Sequence, residues 1–194
     1  MSLSVIDWYL IGANALGFIL YGINMALYKH TANGHIDTPI TVVSLLGGSL
    51  GILLFIILFD RKSVKENMMS RVFLVSVLGI QIVAYLFLIG KHSEQINFAF
   101  WRFFSAHKWM VAYLIIINVV AIIAFGIDKI RALEHKWRIP ILMLLGIAFA
   151  GGSVGSLIGM YAFRHKTNQD YFTVGVPLIL AMHIVVLFYL MNIG

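Results

Sequence analysis

The chain has 194 residues, of which 61% are apolar and 11% are Asp, Glu, Lys or Arg, and it contains no cysteine. A soluble domain carries roughly 25% charged residues, so this composition excludes a soluble globular protein. The lack of cysteine excludes disulfides, thiolate metal sites and cysteine nucleophiles. The net charge of +6 is spread over several short loops, which favours the lipid bilayer and its anionic headgroups as partners over nucleic acid.

Six runs of the chain contain no charged residue, and each is 19 to 25 residues long. A helix needs roughly 20 apolar residues to cross a bilayer, and the runs lack the alternation of a barrel strand. They predict an all-α integral membrane protein of a cell or inner membrane, with six transmembrane helices. The runs are 8–28, 38–59, 72–90, 109–127, 139–163 and 171–194.

Basic residues are slightly more numerous on one side of this predicted bundle. The loops after the second and fourth helices hold eight, and the remaining loops hold six. The positive-inside rule therefore predicts that both termini are cytoplasmic. Between the third and fourth helices, the linker 91–108 is rich in aromatic residues and is expected to lie in the membrane interface.

The two halves of the chain repeat each other with a constant shift of 104 residues. Of the 90 pairs between 1–90 and 105–194, 21 are identical, where roughly seven are expected by chance from so narrow a composition. Because each copy contains three predicted helices, an odd number, the second copy should enter the membrane from the opposite side. The pattern predicts two inverted three-helix repeats, 1–90 and 109–194.

Residues 128–167 of the second half carry a specific series of motifs. These are Asp128-Lys129, Arg138-Ile139-Pro140, Gly151-Gly152 with Gly155, Gly159-Met160 and Phe163-Arg164-His165-Lys166-Thr167. They resemble the small membrane family catalogued as domain of unknown function 1294, with its D-K-x-x-A, R-I-P-E, G-G-x-x-G, G-M and F-R-H-K-T pattern. The match departs at Ile141, where the family usually has Glu.

The first half keeps a degenerate version of the same motifs, at Asn24-Met25, Gly47-Gly48 with Gly51, and Phe59-Asp60-Arg61-Lys62-Ser63. The resemblance implies a tandem duplication of a unit that most family members contain once. It implies no established activity.

Small residues recur at helical spacing in the second and fifth predicted helices. Residues four apart share a helix face, so one interpretation is that the second helix packs closely against the fifth. The other is that the glycines interrupt both helices around a site near the membrane midplane. The glycines are Gly47, Gly48, Gly51, Gly151, Gly152, Gly155 and Gly159.

A basic motif ends each of these helices, Arg61-Lys62 in the first half and Arg164-His165-Lys166 in the second. Cations at a helix C-terminus favour the helix dipole and reach headgroups, but the same residues could form an anion or phosphate site. In an inverted pair Asp128 would approach Arg61 or Lys62.

By the same argument Asn24 would approach Arg164 and His165. These polar groups would either hold the helices together or couple them to gating or proton movement. His183 lies inside the sixth predicted helix, where an interhelical hydrogen bond is the ordinary role and proton carriage the alternative. The sequence contains no motif for catalysis or for metal binding, so no catalytic residue, metal or cofactor is predicted.

Three functions stay open, and an enzyme is the least favoured of them. The repeat, the paired glycines and the basic motifs favour a small transporter or channel for an anionic or phosphate-bearing solute or lipid. The small size favours a non-catalytic assembly or regulatory protein, with a homo-oligomer left open. The third is a membrane enzyme that acts on a lipid headgroup with Arg164, His165 and Asp128. A cavity would favour the first function, a solid bundle the second and a headgroup-sized pocket the third.

Overall fold

The computed structural model of the chain describes residues 4–30, 37–62, 65–90 and 96–193. All regular structure within these residues is helical, and no strand occurs among them. Six helical stretches are long and apolar enough to cross a membrane, which confirms the predicted all-α membrane fold. They are Val5–Tyr28, Asp37–Phe59, Asn67–Leu88, Lys108–Leu133, Ile141–Ala162 and Asp170–Met191.

The chain divides into two compact units, Met1–Ile82 and Val83–Gly194. The first unit is built from α1 (Val5–His30), α2 (Asp37–Val43), α3 (Ser49–Phe59) and most of α4 (Lys65–Leu88). The second unit contains α5 (Phe100–Ala106), α6 (Lys108–Leu133), α7 (Ile141–Ile147), α8 (Ser153–Ala162), α9 (Asp170–Thr173) and α10 (Gly175–Met191). The short helix α5 buries none of its residues, and its aromatic side chains remain candidates for the membrane interface.

The fifth apolar stretch is folded back on itself. Its halves α7 and α8 are joined by a π-helical turn, Ala148–Gly152, in which Gly151 has φ 109° and ψ −2°. A straight helix over Ile141–Ala162 would separate its ends by about 33 Å. Instead the backbone N of Ile139 donates to Oδ1 of Asp128 at 2.8 Å, and Nε2 of His165 lies 2.6 Å from Oδ2 of that carboxylate. α7 and α8 therefore form a helical hairpin whose two ends meet at one residue of α6.

The first unit contains an equivalent hairpin, formed by α2 and α3 around the turn Ser44–Gly48. Asn24 donates to Asp37 at 3.2 Å, and the Tyr21 hydroxyl donates to Asp60 at 3.1 Å. Because Tyr21 and Asn24 are one helical turn apart on α1, both hairpin ends lie beside the same part of that helix. The tip lies near the start of α1, where the Tyr9 hydroxyl donates to the carbonyl of Leu46 at 2.6 Å.

Gly47 and Gly151 make the two reversals possible. Gly47 has φ 112° and ψ 0°, almost the same conformation as Gly151. A residue with a Cβ rarely adopts this part of conformational space, whereas glycine enters it at little cost. The glycines thus interrupt both stretches, as the second interpretation of the glycine pattern requires, while its site near the membrane midplane stays a prediction.

The remaining glycines pack each hairpin onto the first helix of its own unit. A Cβ atom on Gly51 would lie 1.9 Å from the carbonyl O of Asn14, and one on Gly155 would lie 2.1 Å from that of Asn118. The neighbouring contacts are Gly48 with Ala13, Gly152 with Ile117 and Gly159 with Phe125. The glycine faces are therefore used for packing α3 on α1 and α8 on α6, while packing of the second predicted helix on the fifth stays a prediction.

Side chains of α1 and α6 satisfy the backbone at the hairpin tips. Oδ1 of Asn118 accepts the N–H of Gly155 at 2.6 Å, and the Tyr113 hydroxyl donates to the Ala150 carbonyl at 2.6 Å. In the first unit Asn14 accepts the N–H of Gly51 at 2.7 Å, and the Tyr9 hydroxyl donates to the Leu46 carbonyl at the tip as Tyr113 does to Ala150. In lipid an interrupted helix needs such partners, because water is not there to supply them.

Candidate functional site

The ends of the second hairpin close on a buried carboxylate. Asp128 is fully buried near the C-terminal end of α6. In addition to the Ile139 N–H and His165, its Oδ2 lies 2.9 Å from Nζ of Lys166. A buried charge is tolerated only when it is paired and hydrogen-bonded. We call Asp128, His165 and Lys166 the hairpin clamp.

The turn after α8 directs two side chains of the motif back toward α6. Arg164 and Lys166 adopt positive φ values of 45° and 61°, which are uncommon for residues other than glycine. His165, between them, is buried. The Lys166 ammonium also lies 5.1 Å from the ring centroid of Phe172, a fully buried side chain. The ammonium is therefore held between a carboxylate and an aromatic face.

The approach of Asp128 to Arg61 or Lys62, which lie in the other unit, stays a prediction. The contacts that the structure gives Asp128 come from the hairpin of its own unit. The reason is the reversal at Gly151, which brings both hairpin ends back to α6. Since His165 and Lys166 face Asp128, two of the three residues of the expected anion site are used within the chain.

The equivalent positions in the first unit form no such clamp. Asn24 occupies the position of the aspartate and donates to Asp37, and its approach to Arg164 and His165 stays a prediction. Arg61 is exposed and its Nε donates to the carbonyl of Ile57 at 2.8 Å. Lys62 is exposed as well.

A cavity of about 620 Å³ lies between the ends of the first hairpin. Its polar wall includes Asn24, Asp37, Thr41 and Asp60, which come from the end of α1 and both ends of the hairpin. Its apolar wall includes Met25, Ile40 and Phe73. The cavity is therefore amphipathic, and it occupies the place that the clamp closes in the second unit.

The two carboxylates of this cavity differ in their surroundings. Asp60 lies 3.5 Å from Nη2 of Arg71, which also donates to the backbone carbonyls of Asp60 and Lys62. The Tyr21 hydroxyl donates to Asp60 as well. Asp37 is exposed at the start of α2 and accepts a hydrogen bond from Asn24. Asp60 is thus paired with a cation inside its unit, whereas the neighbour of Asp37 is a neutral amide.

His183 caps the tip of the second hairpin. Its Nε2 donates to the carbonyl of Phe149 at 3.0 Å, and its Nδ1 lies 3.1 Å from Oγ of Ser153. In the first unit Gln81 donates to the equivalent carbonyl, that of Leu45, at 3.1 Å. Both ring nitrogens of His183 are therefore used in the interhelical bonding that is the ordinary role of such a residue.

Ser49 completes the first cap, because its hydroxyl donates to Oε1 of Gln81. Gln81 and His183 stand 102 residues apart, so an ungapped comparison at a shift of 104 does not pair them. Asp37 and Tyr21 had not been singled out either, since neither belongs to a motif. Among the described residues, no group of three or more His, Asp or Glu could hold a metal ion.

The second unit contains the matches to known proteins. The family model described as "Protein of unknown function (DUF1294)" matches residues 118–172, which include the second hairpin, its clamp and Phe172. An uncharacterised protein of Bacillus subtilis (strain 168), YsdA, is 42% identical over 78 residues, which cover 40% of this chain and 88% of the relative. No solved structure matches the chain. Because the relative is matched over most of its length at this identity, the chain belongs to the family of unknown function DUF1294.

Proposed function

We propose that this membrane protein is a small transporter, with its solute site in the cavity of the first unit. The observation that carries the proposal is the difference between the two hairpins. The second is closed at its ends by the hairpin clamp, while the first surrounds a cavity of about 620 Å³. The tandem duplication proposed for the two units explains this difference, because one copy can stabilise the fold with a closed hairpin while the other copy binds a solute.

The size and the lining of the cavity support this function. Sites for small molecules usually measure roughly 300–1,000 Å³ and combine apolar walls with a few polar groups. Folded-back helices occur in membranes where they are buried in protein or line a cavity, and interrupted helices hold the solutes of many transporters. A charged solute or a lipid headgroup fits such a site. The anionic solute favoured by the sequence loses support, because His165 and Lys166 bind Asp128.

A scaffold or regulatory protein is the second candidate, and the closed second unit favours it. A headgroup enzyme is supported less well, because both oxygens of Asp128 are already bound and His165 is buried against them. The Asp128–His165 pair is thus not available as a base to a substrate.

The absence of cysteine allows a direct test of transport. A single cysteine at Thr41 would be reacted with the impermeant cation trimethylammonioethyl methanethiosulfonate, added outside oriented proteoliposomes or enclosed within them. A transporter exposes its solute site to each side in turn, so Thr41→Cys should react from both sides. Ser105→Cys, on the exposed surface of α5, is the control and should react from one side. Reaction of Thr41→Cys from one side alone would contradict transport, and a lack of reaction from either side would favour the scaffold.

A further inference from the structure

We infer that the cavity of the first unit binds an organic ammonium ion, either a free protonated amine or the amine of a lipid headgroup. The inference rests on the proposed solute site and names the class of solute. Three independent features support it: the charge of the cavity wall, the contacts of Lys166 in the second unit, and the nature of the uncharged wall.

The first feature is the sign of the charge. Asp37 and Asp60 are the charged side chains among the described residues that line the cavity. Arg71 lies 3.5 Å from Asp60 and balances one of these charges. Asp37 accepts a hydrogen bond from the neutral amide of Asn24, and no cation among the residues that the structure describes forms a salt bridge with it. The wall thus favours a cation and opposes an anion.

The second feature is the ammonium group that the second unit holds at the same place between its hairpin ends. Nζ of Lys166 lies 2.9 Å from the Asp128 carboxylate and 5.1 Å from the centre of the Phe172 ring. The corresponding residue of the first unit, Lys62, is exposed, and the space between the hairpin ends is a cavity. One hairpin is therefore filled by a tethered ammonium, and a separate ammonium ion would fill the other.

The third feature separates an organic cation from an inorganic one. Tyr21, Tyr28 and Phe73 place aromatic rings in the wall, together with the apolar side chains of Met25 and Ile40. Alkylammonium groups are attracted to aromatic faces, whereas a small metal ion requires a compact shell of oxygen ligands. A volume of about 620 Å³ also exceeds what a metal ion would fill and suits an amine with an organic substituent.

The charge of the reagent that reaches Thr41→Cys tests the inference. The rates at which Thr41→Cys reacts with cationic trimethylammonioethyl and with anionic sulfonatoethyl methanethiosulfonate would be measured. Each rate would be divided by the rate at which Ser105→Cys reacts with the same reagent. The Asp37 carboxylate, which has no cationic partner among the described residues, should favour the cationic reagent by about tenfold. Asp37→Asn should reduce that preference by at least about threefold. Asp170→Asn, which also removes an exposed aspartate at the start of a helix, should leave it unchanged.

Protection distinguishes the two sources of the amine. Ethanolamine and tetramethylammonium in the buffer should slow the reaction of Thr41→Cys if the ligand is a free amine. Phosphatidylethanolamine in vesicles of phosphatidylglycerol should slow it if the ligand is a headgroup. Inorganic phosphate should protect in neither case. A preference for the anionic reagent, or the lack of protection by every amine, would overturn the ammonium site.

These outcomes also separate the inference from the proposed function. Reaction from both membrane sides without cation preference would keep the transporter and overturn the ammonium site. Cation preference with protection by an amine, but reaction from one side alone, would keep the ammonium site and overturn transport.

Discussion

Three donors converge on the carboxylate of Asp128, and together they explain why the motif of the second half has its particular spacing. The Ile139 N–H comes from the start of the hairpin, while His165 and Lys166 come from its end. Removing one partner of a buried ion pair leaves the other charge without compensation, which costs more free energy than the intact pair contributes. The clamp is therefore a sensitive point of the fold.

Replacing Asp128 by Asn should lower the free energy of unfolding by about 3–5 kcal/mol, because the Lys166 ammonium then lacks its counter-ion. Unfolding in detergent micelles, followed by circular dichroism, would measure the change. Asp170→Asn provides the control at an exposed position and should stay within about 0.5 kcal/mol of the parent. Equal stability of the two variants would show that the clamp does not hold the hairpin closed.

Gly155 and Gly146 lie in the same hairpin and provide a test position and its control for substitution by alanine. A Cβ on Gly155 would lie 2.1 Å from the Asn118 carbonyl, whereas nothing lies within 4 Å of one on Gly146. Gly155→Ala should therefore destabilise the protein by about 1–3 kcal/mol, because α8 must move away from α6. Gly146→Ala should be neutral or stabilise by up to about 1 kcal/mol, since alanine favours the helix. Thermal unfolding of both variants would test this, and a stable Gly155→Ala variant would contradict the close packing.

For single residues, the sequence motifs drew attention to the members of the clamp but did not predict that they contact one another. Asp128, His165 and Lys166 were all recognised from their motif. Their contact depends on the reversal at Gly151, and a pattern of residue types does not state the conformation of a glycine. Asp37 belongs to no motif, and it was recognised only from its place in the wall of the cavity.

The two hairpins show why apolar length predicts a helix better than it predicts a membrane crossing. A stretch of 22 apolar residues such as Ile141–Ala162 has the same hydropathy whether it is straight or folded back. The difference lies in a few polar groups at the tip, where Asn118 and His183 bind the interrupted backbone. The prediction of six apolar helical stretches was therefore correct, but composition could not predict that two of these stretches fold back on themselves.

The caps on α4 and α10 yield a prediction at this scale. Replacing His183 by Leu would leave the Phe149 carbonyl and the Ser153 hydroxyl without their partner, at a cost of about 1–3 kcal/mol. His183→Gln should retain most of the stability, because Gln81 makes the same kind of contacts in the first unit. His107→Leu, at an exposed position, serves as the control. Denaturation curves in which the Gln and Leu variants are equally weak would argue against a capping role.

For the molecule as a whole, the hairpins change the count of basic residues on each membrane side. In the first unit all five basic residues lie toward the hairpin ends: Lys29, Arg61, Lys62, Lys65 and Arg71. In the second unit, six lie toward the hairpin ends, against Arg102 and Lys108 among the described residues at the other side. Those six are Lys129, Arg131, Lys136, Arg138, Arg164 and Lys166. By the positive-inside rule, we expect the hairpin ends of each unit to be cytoplasmic.

This orientation differs from the cytoplasmic termini that were expected for six straight spans. A unit whose hairpin enters and leaves the membrane on one side crosses it twice and ends on the side where it began. In that orientation each unit would cross the membrane an even number of times, whereas the predicted inverted repeat requires an odd number, so the two predictions exclude each other.

Labelling of single cysteines in spheroplasts and in inverted vesicles would measure this topology. Thr38→Cys and Lys62→Cys, at the two ends of the first hairpin, should both react from the cytoplasmic side. Ser4→Cys is the control for the opposite side. Lys136→Cys and Asn168→Cys test the second unit in the same way. Reaction of Thr38→Cys and Lys62→Cys from opposite sides would restore a straight span.

The caps at the hairpin tips also bear on how the protein is synthesised. Gln81 and His183 belong to the last helix of their unit, so the ribosome makes them after the hairpin that they cap. Until that helix arrives, the carbonyls of Leu45 and Phe149 lack these partners, and lipid offers no substitute. We therefore expect each hairpin to insert fully only together with the helix that follows it.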